Sequence, residues 1–109
     1  MTLRRLRFHA AARAELVAAT AWYEQEREGL GRDFALHVEA ALERVVAAPL
    51  RWPLSRDEPR TRYVRLRRFP YDVVYAVLPN AAVVVVAIAH EHREPGYWSA
   101  RLSGGPRSR

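Results

Sequence analysis

Residues 71–89 read YDVVYAVLPNAAVVVVAIA, and the reading of this stretch decides the fold. Alternate side chains of a strand point to opposite faces, so Tyr71, Val73, Tyr75 and Val77 share one side and Val74, Ala76 and Leu78 the other. A run that is largely apolar on both sides predicts a central strand. Pro79-Asn80 predicts a turn, because Pro presets φ at the first corner and Asn tolerates the left-handed conformation often needed at the second. Ala82 to Ala89 is short, unbroken and rich in valine, which predicts a second interior strand completing a hairpin. Upstream, Val64 and Leu66 point one way while Tyr63, Arg65, Arg67 and Phe69 point the other. That alternation predicts a third strand, Tyr63 to Phe69, with one basic and aromatic face. Pro70 cannot donate to a ladder and belongs at the turn or bulge between this strand and the next.

Working outward, Leu3 to Phe8 alternates as a short strand with Leu6 and Phe8 inward. Ala11 to about Arg27 is rich in alanine and glutamate and carries Ala12, Leu16, Ala19 and Tyr23 along one stripe, the pattern of a helix. Trp22 beside Tyr23 reads as core or core rim rather than as a binding surface. Gly29-Leu30-Gly31 interrupts the pattern. Phe34, Val38, Ala41 and Val45, widened by Leu42, then build a second stripe that Pro49 ends. So short a glycine turn predicts an antiparallel helical hairpin. Leu50 to Arg62, broken by Pro53 and Pro59, reads as an ordered basic loop anchored by Trp52. Residues 103–109 have nothing apolar to bury and are expected to form a flexible tail. The expected fold is α+β, in the order β-α-α-β-β-β: a small, mainly antiparallel sheet covered on one face by the helical pair, within one domain spanning residues 1–102.

The 109 residues carry a formal net charge of +6, and all eighteen basic residues are arginines. Arginine alone reflects either genomic base composition or a surface for phosphate or carboxylate partners. Absence of cysteine excludes disulfides, thiolate metal sites and thiol nucleophiles. No apolar run reaches the ~18 residues of a membrane span, so a cytoplasmic protein without a membrane partner is expected. His37 has no companion histidine at metal-ligand spacing. His90 and His92 would supply two zinc ligands at most, with no cysteine or clear third ligand, so neither a metal nor any other cofactor is expected.

This element order, the helical pair ending at a proline, the run Tyr63-Val64-Arg65-Leu66-Arg67 leading into Tyr71 to Val77, and the ending from Val86 to Trp98 together resemble the RelE/ParE superfamily of bacterial type II toxins. The ending includes His90-Glu91-His92-Arg93-Glu94-Pro95-Gly96-Tyr97-Trp98. The resemblance covers about residues 3–102. It implies a toxin held inactive by an acidic, partly disordered antitoxin. Two mechanisms occur on this fold. RelE-like members cut messenger RNA on the ribosome, and ParE-like members are thought to bind and poison DNA gyrase.

If the chain is a metal-independent ribonuclease, Arg65, Arg67 and Arg93 resemble that branch's cations, and His90 or Tyr97 would move a proton. Asp72 departs from the pattern, because it stands where those nucleases commonly place an arginine and would repel the phosphate. Ala87-Ile88-Ala89-His90-Glu91 is similar to the segment closing the sheet in ParE-like toxins, the branch favoured here. For target or antitoxin binding, the candidates are Tyr63, Arg65, Arg67, Arg68, Phe69, Tyr71, His92, Arg93 and Trp98. Arg65, Arg67 and Arg68 also suit a solvated edge that discourages sheet aggregation.

Overall fold

The computed structural model describes residues 5–103. In chain order it contains β1 (Leu6–Phe8), α1 (Ala10–Glu26), α2 (Leu30–Ala47), β2 (Arg62–Arg65), β3 (Tyr71–Val77), β4 (Val83–His90) and α3 (Ser99–Ser103). The sheet order is β1-β4-β3-β2. β2, β3 and β4 pair antiparallel, whereas β1 lies parallel to β4 with Leu6 opposite Val83. The two valine-rich strands are interior, as their two-sided apolar patterns require.

Each face of the sheet carries its own apolar cluster. Val73, Tyr75, Val85 and Ile88 point toward the helices and meet Ala12 and Ala19 of α1 and Phe34, Val38, Ala41 and Val45 of α2. Val74, Ala76, Val86, Ala87 and Ala89 point the other way and are covered by Trp98, with Tyr63, Tyr97 and Leu102 at the margin. The cover on this second face comes from the C-terminal segment. Its helix α3 is absent from the sequence reading, because a single turn with one large apolar residue, Leu102, leaves no periodic signal. Ser103 ends that helix, and the remainder of the expected tail lies outside the described residues.

Polar capping holds the helical pair. His9 Nδ1 accepts the Ala11 N–H at 3.0 Å and so caps α1. The Glu24 carboxylate, on α1, accepts from the N–H groups of Gly29 at 2.9 Å and Gly31 at 3.0 Å, supplying the acceptor that the start of α2 lacks. Gly31 is required by packing. A β-carbon there would sit 2.5 Å from the Thr20 carbonyl oxygen. At the other end of α2 the buried Tyr75 hydroxyl donates to the Pro49 carbonyl, and burial pushes its pKa up to about 12.

Four expectations need correction. β2 stops at Arg65 rather than Phe69: the Tyr71 carbonyl accepts from Leu66 N–H at 2.9 Å, and the Phe69 carbonyl accepts from Tyr71 N–H at 2.8 Å, which turns the chain. Phe69 is thereby driven inward, 4.9 Å from the Tyr23 ring and 5.2 Å from Phe34, so the expected basic and aromatic face is broken. The left-handed corner of the β3–β4 hairpin falls on Ala81, with φ of 70°, while the Asn80 side chain accepts from Ala82 N–H at 3.1 Å. Trp98, 8% exposed, covers the far face of the sheet. Trp22, expected at the core, is 58% exposed, because Tyr23 takes the inward position of that turn.

The β3–β4 register slips between Val74 and Tyr75: Val74 faces Ala87, Tyr75 faces Val85, and Val86 has no partner opposite. Such a bulge reverses which backbone groups point outward beyond it. β1 covers β4 only as far as Val85, leaving the edge beyond it without a strand. Side chains take its place. Arg101 donates to the Val86 carbonyl at 2.9 Å, and Glu15 accepts the Ile88 N–H at 2.9 Å.

Candidate functional site

From Ala10 to Tyr23, α1 is apolar nearly all round, with Arg13, Glu15 and Thr20 its polar residues. Its inner stripe is in the core, yet Ala14, Val17, Ala18, Ala21 and Trp22 on the outer side are all exposed, Val17 at 64%. A helix this apolar on its outer side is one that expects cover. Between α1 and the end of the β3–β4 pair runs a groove formed by two adjoining hollows of about 460 and 330 Å³ that share Trp22, Tyr71 and His90. Pro70 and Tyr23 wall one end, and Ala18, Glu15 and Arg93 the other. The His90 ring packs edge-on against Tyr71 at 5.0 Å and lies 5.1 Å from His92.

Beneath the groove, Glu15 gathers four donors. Besides Ile88 N–H, it accepts from the Tyr97 hydroxyl at 2.7 Å and from both terminal nitrogens of Arg101, at 3.0 and 2.8 Å. Burial alone would raise its pKa, but the bonds from Arg101, Tyr97 and Ile88 outweigh that and hold the carboxyl below its ordinary value. The same burial, with the Glu15 bond, pushes the Tyr97 hydroxyl far up. Arg93 lies over the outer face of the Tyr97 ring, 3.8 Å from its centroid, a cation–π contact that holds the guanidinium at the groove's mouth.

The structure separates the expected site residues. Tyr71, His90 and Arg93 come together in the groove. Tyr63, Arg65 and Trp98 lie with Asp72 around a different cleft on the far face of the sheet. Arg65 donates to Asp72 at 2.7 Å and to Glu91 at 3.3 Å, so its charge is matched by two carboxylates. Arg67 and Arg68 are exposed, Arg68 lying 3.7 Å from Asp33 and over the Phe69 ring at 5.2 Å. His92 is exposed beside Glu91. Among the described residues no three metal-ligating side chains cluster, and no helix is long and apolar enough to cross a membrane.

Trp22, Glu15 and Arg101 were not among the candidates. For Trp22 the signal was present, since the exposed alanines and Val17 of α1 continue into it on the wrong side of the helix for the core. Glu15 and Arg101 left none: they meet across 86 residues of sequence.

The groove can receive an apolar, partly acidic segment: it offers aromatic walls, a small-residue floor and an arginine at its mouth. Residues 6–95 match the family model described as the ParE toxin of the type II toxin–antitoxin system, parDE. A solved structure titled as the chromosomal ParDE toxin–antitoxin system from P. aeruginosa has a similar fold, with a TM-score of 0.66 at 16% identity, covering 78% of this chain and 92% of that one. No curated protein sequence matches the chain. With its β1-β4-β3-β2 sheet, its helical pair and a match running from β1 past β4, the chain belongs to the ParE toxin family of type II toxin–antitoxin systems.

Proposed function

We propose that the chain is a growth-inhibiting toxin of the cytoplasm that acts by binding DNA gyrase, and that an acidic segment of a cognate antitoxin neutralises it by lying on α1 and in the adjoining groove. The observation that carries binding over RNA cleavage is that two of the five expected catalytic groups, Arg65 and Tyr97, are already engaged by carboxylates. Arg65 is held between Asp72 and Glu91, and the Tyr97 hydroxyl is donated to Glu15 with its pKa raised. A cation for a pentavalent phosphate has to meet developing charge without a carboxylate in the way, and a proton-transfer group has to be free to move its proton. The exposed apolar face of α1, by contrast, is surface without a use in the free protein.

Induction in bacteria distinguishes the mechanisms. Gyrase poisoning produces DNA breaks, a DNA-damage response and filamentous cells while translation continues. Immediate arrest of translation with mapped cuts in ribosome-bound messenger RNA would instead establish the RelE-like ribonuclease. Co-expression with the neighbouring small acidic gene product is expected to restore growth and give a co-purifying complex.

A further inference from the structure

Residues 1–14 contain no acidic side chain, and the strand they lead into, β1, is an outer strand of the sheet. Arg5 and Arg7 are exposed there and line a hollow of about 310 Å³ with Asn80 and Ala82, at the tip of the β3–β4 hairpin. Arg5 donates to the Asn80 carbonyl, which ties its guanidinium to the hollow without cancelling its charge. On the other flank of the strand the exposed Arg13 lies over the Phe8 ring, 4.9 Å from its centroid. Several arginines elsewhere meet carboxylates: Arg60 with Glu58, Arg65 with Asp72 and Glu91, Arg68 with Asp33, and Arg101 with Glu15. Arg5, Arg7 and Arg13 form no ion pair with a described residue, so the β1 edge carries three uncompensated charges.

The lining of the hollow narrows the partner's chemistry. An acidic protein segment needs apolar anchors as well as charge, and the hollow offers no large apolar side chain. A single-stranded nucleic acid needs aromatic rings on which its bases stack. None lines the hollow, and Phe8 is packed against the core beneath Arg13. A duplex presents only its phosphates and sugars to a surface of this kind. It needs unmatched cations, and the planar guanidinium suits a phosphate group.

We propose that the β1 edge is a contact surface for the phosphate backbone of a nucleic-acid duplex, held by Arg5 and Arg7 at the hollow and by Arg13 on the opposite flank. The surface lies outside the groove beside α1 and stands independently of the gyrase and antitoxin reading.

Fluorescence anisotropy of the purified chain with labelled duplexes of about 20 base pairs, one of DNA and one of RNA, tests this across roughly 50–200 mM potassium chloride. Three phosphate contacts give a slope of about −2.7 in the logarithm of affinity against the logarithm of salt, a loss of about fortyfold over that range. The two duplexes share the backbone chemistry, and the one that gives this slope identifies the source. Arg5→Ala, Arg7→Ala and Arg13→Ala are each expected to reduce the slope by about 0.9. All three side chains are exposed, so their truncation spares the core. Arg67→Ala, which removes an exposed arginine following the strand at the other edge of the sheet, is expected to leave the slope unchanged. An equal loss in Arg67→Ala makes the binding diffuse and overturns the site, as does a parental slope in the triple arginine variant. Tighter binding of a single strand of the same length overturns the duplex assignment. Equal competition by a polyglutamate peptide of the same charge overturns the nucleic-acid assignment in favour of an acidic protein. If neither duplex binds at the lowest salt, the arginines are the charged guard of an open edge and the proposal fails.

Discussion

Replacing Glu15 by alanine tests how the sheet edge is closed. The substitution removes the acceptor for Ile88 N–H, Tyr97 and Arg101 in one step. Ile88 is 2% exposed, so its N–H stays unbonded, at a cost of about 1–3 kcal/mol. Arg101 loses its counter-charge. A fully buried pair costs about 3–5 kcal/mol when one partner is removed, but with both side chains 18% exposed water recovers much of this, leaving about 1–2 kcal/mol. The sum is about 3 kcal/mol, a large share of a small domain's stability, and corresponds to roughly 12–20 °C in Tm. Glu15→Gln keeps an acceptor and loses the charge, so about half that effect is expected. Urea unfolding of the two variants, of Arg101→Met and of the Glu15→Ala/Arg101→Met double variant measures the coupling directly. A Glu15→Ala cost below about 1 kcal/mol, or single costs that add to within about 0.5 kcal/mol in the double variant, would refute the reasoning. The pH dependence has a definite sign. The folded pKa of Glu15 lies below the ordinary value of 4.5, so its contribution is fully present above about pH 4.5 and is lost as pH falls through the folded value. Glu15→Gln should flatten that acid limb.

Gly31→Ala would gain about 1 kcal/mol of helix propensity, but it forces a β-carbon to 2.5 Å from the Thr20 carbonyl; a net loss of about 2–3 kcal/mol by chemical denaturation is expected. Ala81→Gly relieves the left-handed corner and should stabilise by about 0.5–1 kcal/mol in the same assay. Trp22→Ala should leave unfolding unchanged to within about 0.5 kcal/mol while weakening antitoxin binding at least tenfold by calorimetry; unchanged affinity would remove the groove from the interface. Arg93→Ala should weaken partner binding in a graded way that fades at high salt, rather than abolish activity outright, as measured by affinity across an ionic-strength series.

The interior strands and both helices were legible because their burial follows simple periods. Two-sided apolarity marked β3 and β4, and the stripes of Ala12, Leu16, Ala19 and Tyr23 and of Phe34, Val38, Ala41 and Val45 all pack where their spacing puts them. Phe69 was misplaced because alternation holds only while a strand lasts, and the turn after Arg65 resets the phase. Trp98 entered only as a candidate for target or antitoxin binding, and nothing local showed that the far face of the sheet needed a cover that the C-terminal segment supplies. Of the expected site, Tyr71, His90 and Arg93 converge, because the end of β4 and the turn that follows it bring His90 and Arg93 beside the start of β3. Val86 is one of four consecutive valines in an apolar run, and nothing local marks it as the residue without a partner. The polar closure of the β4 edge follows from that slip and was equally invisible.

The parallel pairing of β1 with β4 also orders events during synthesis. Leu6 leaves the ribosome early but has no partner until Val83 follows, 77 residues later. At about 5–20 residues per second this is a wait of roughly 4–15 s. Until then α1 and α2 can meet each other but not the strand that completes their floor, and the groove does not exist. The groove between α1 and the β3–β4 pair is therefore a late product of synthesis, formed only once β4 has followed α1 out of the ribosome.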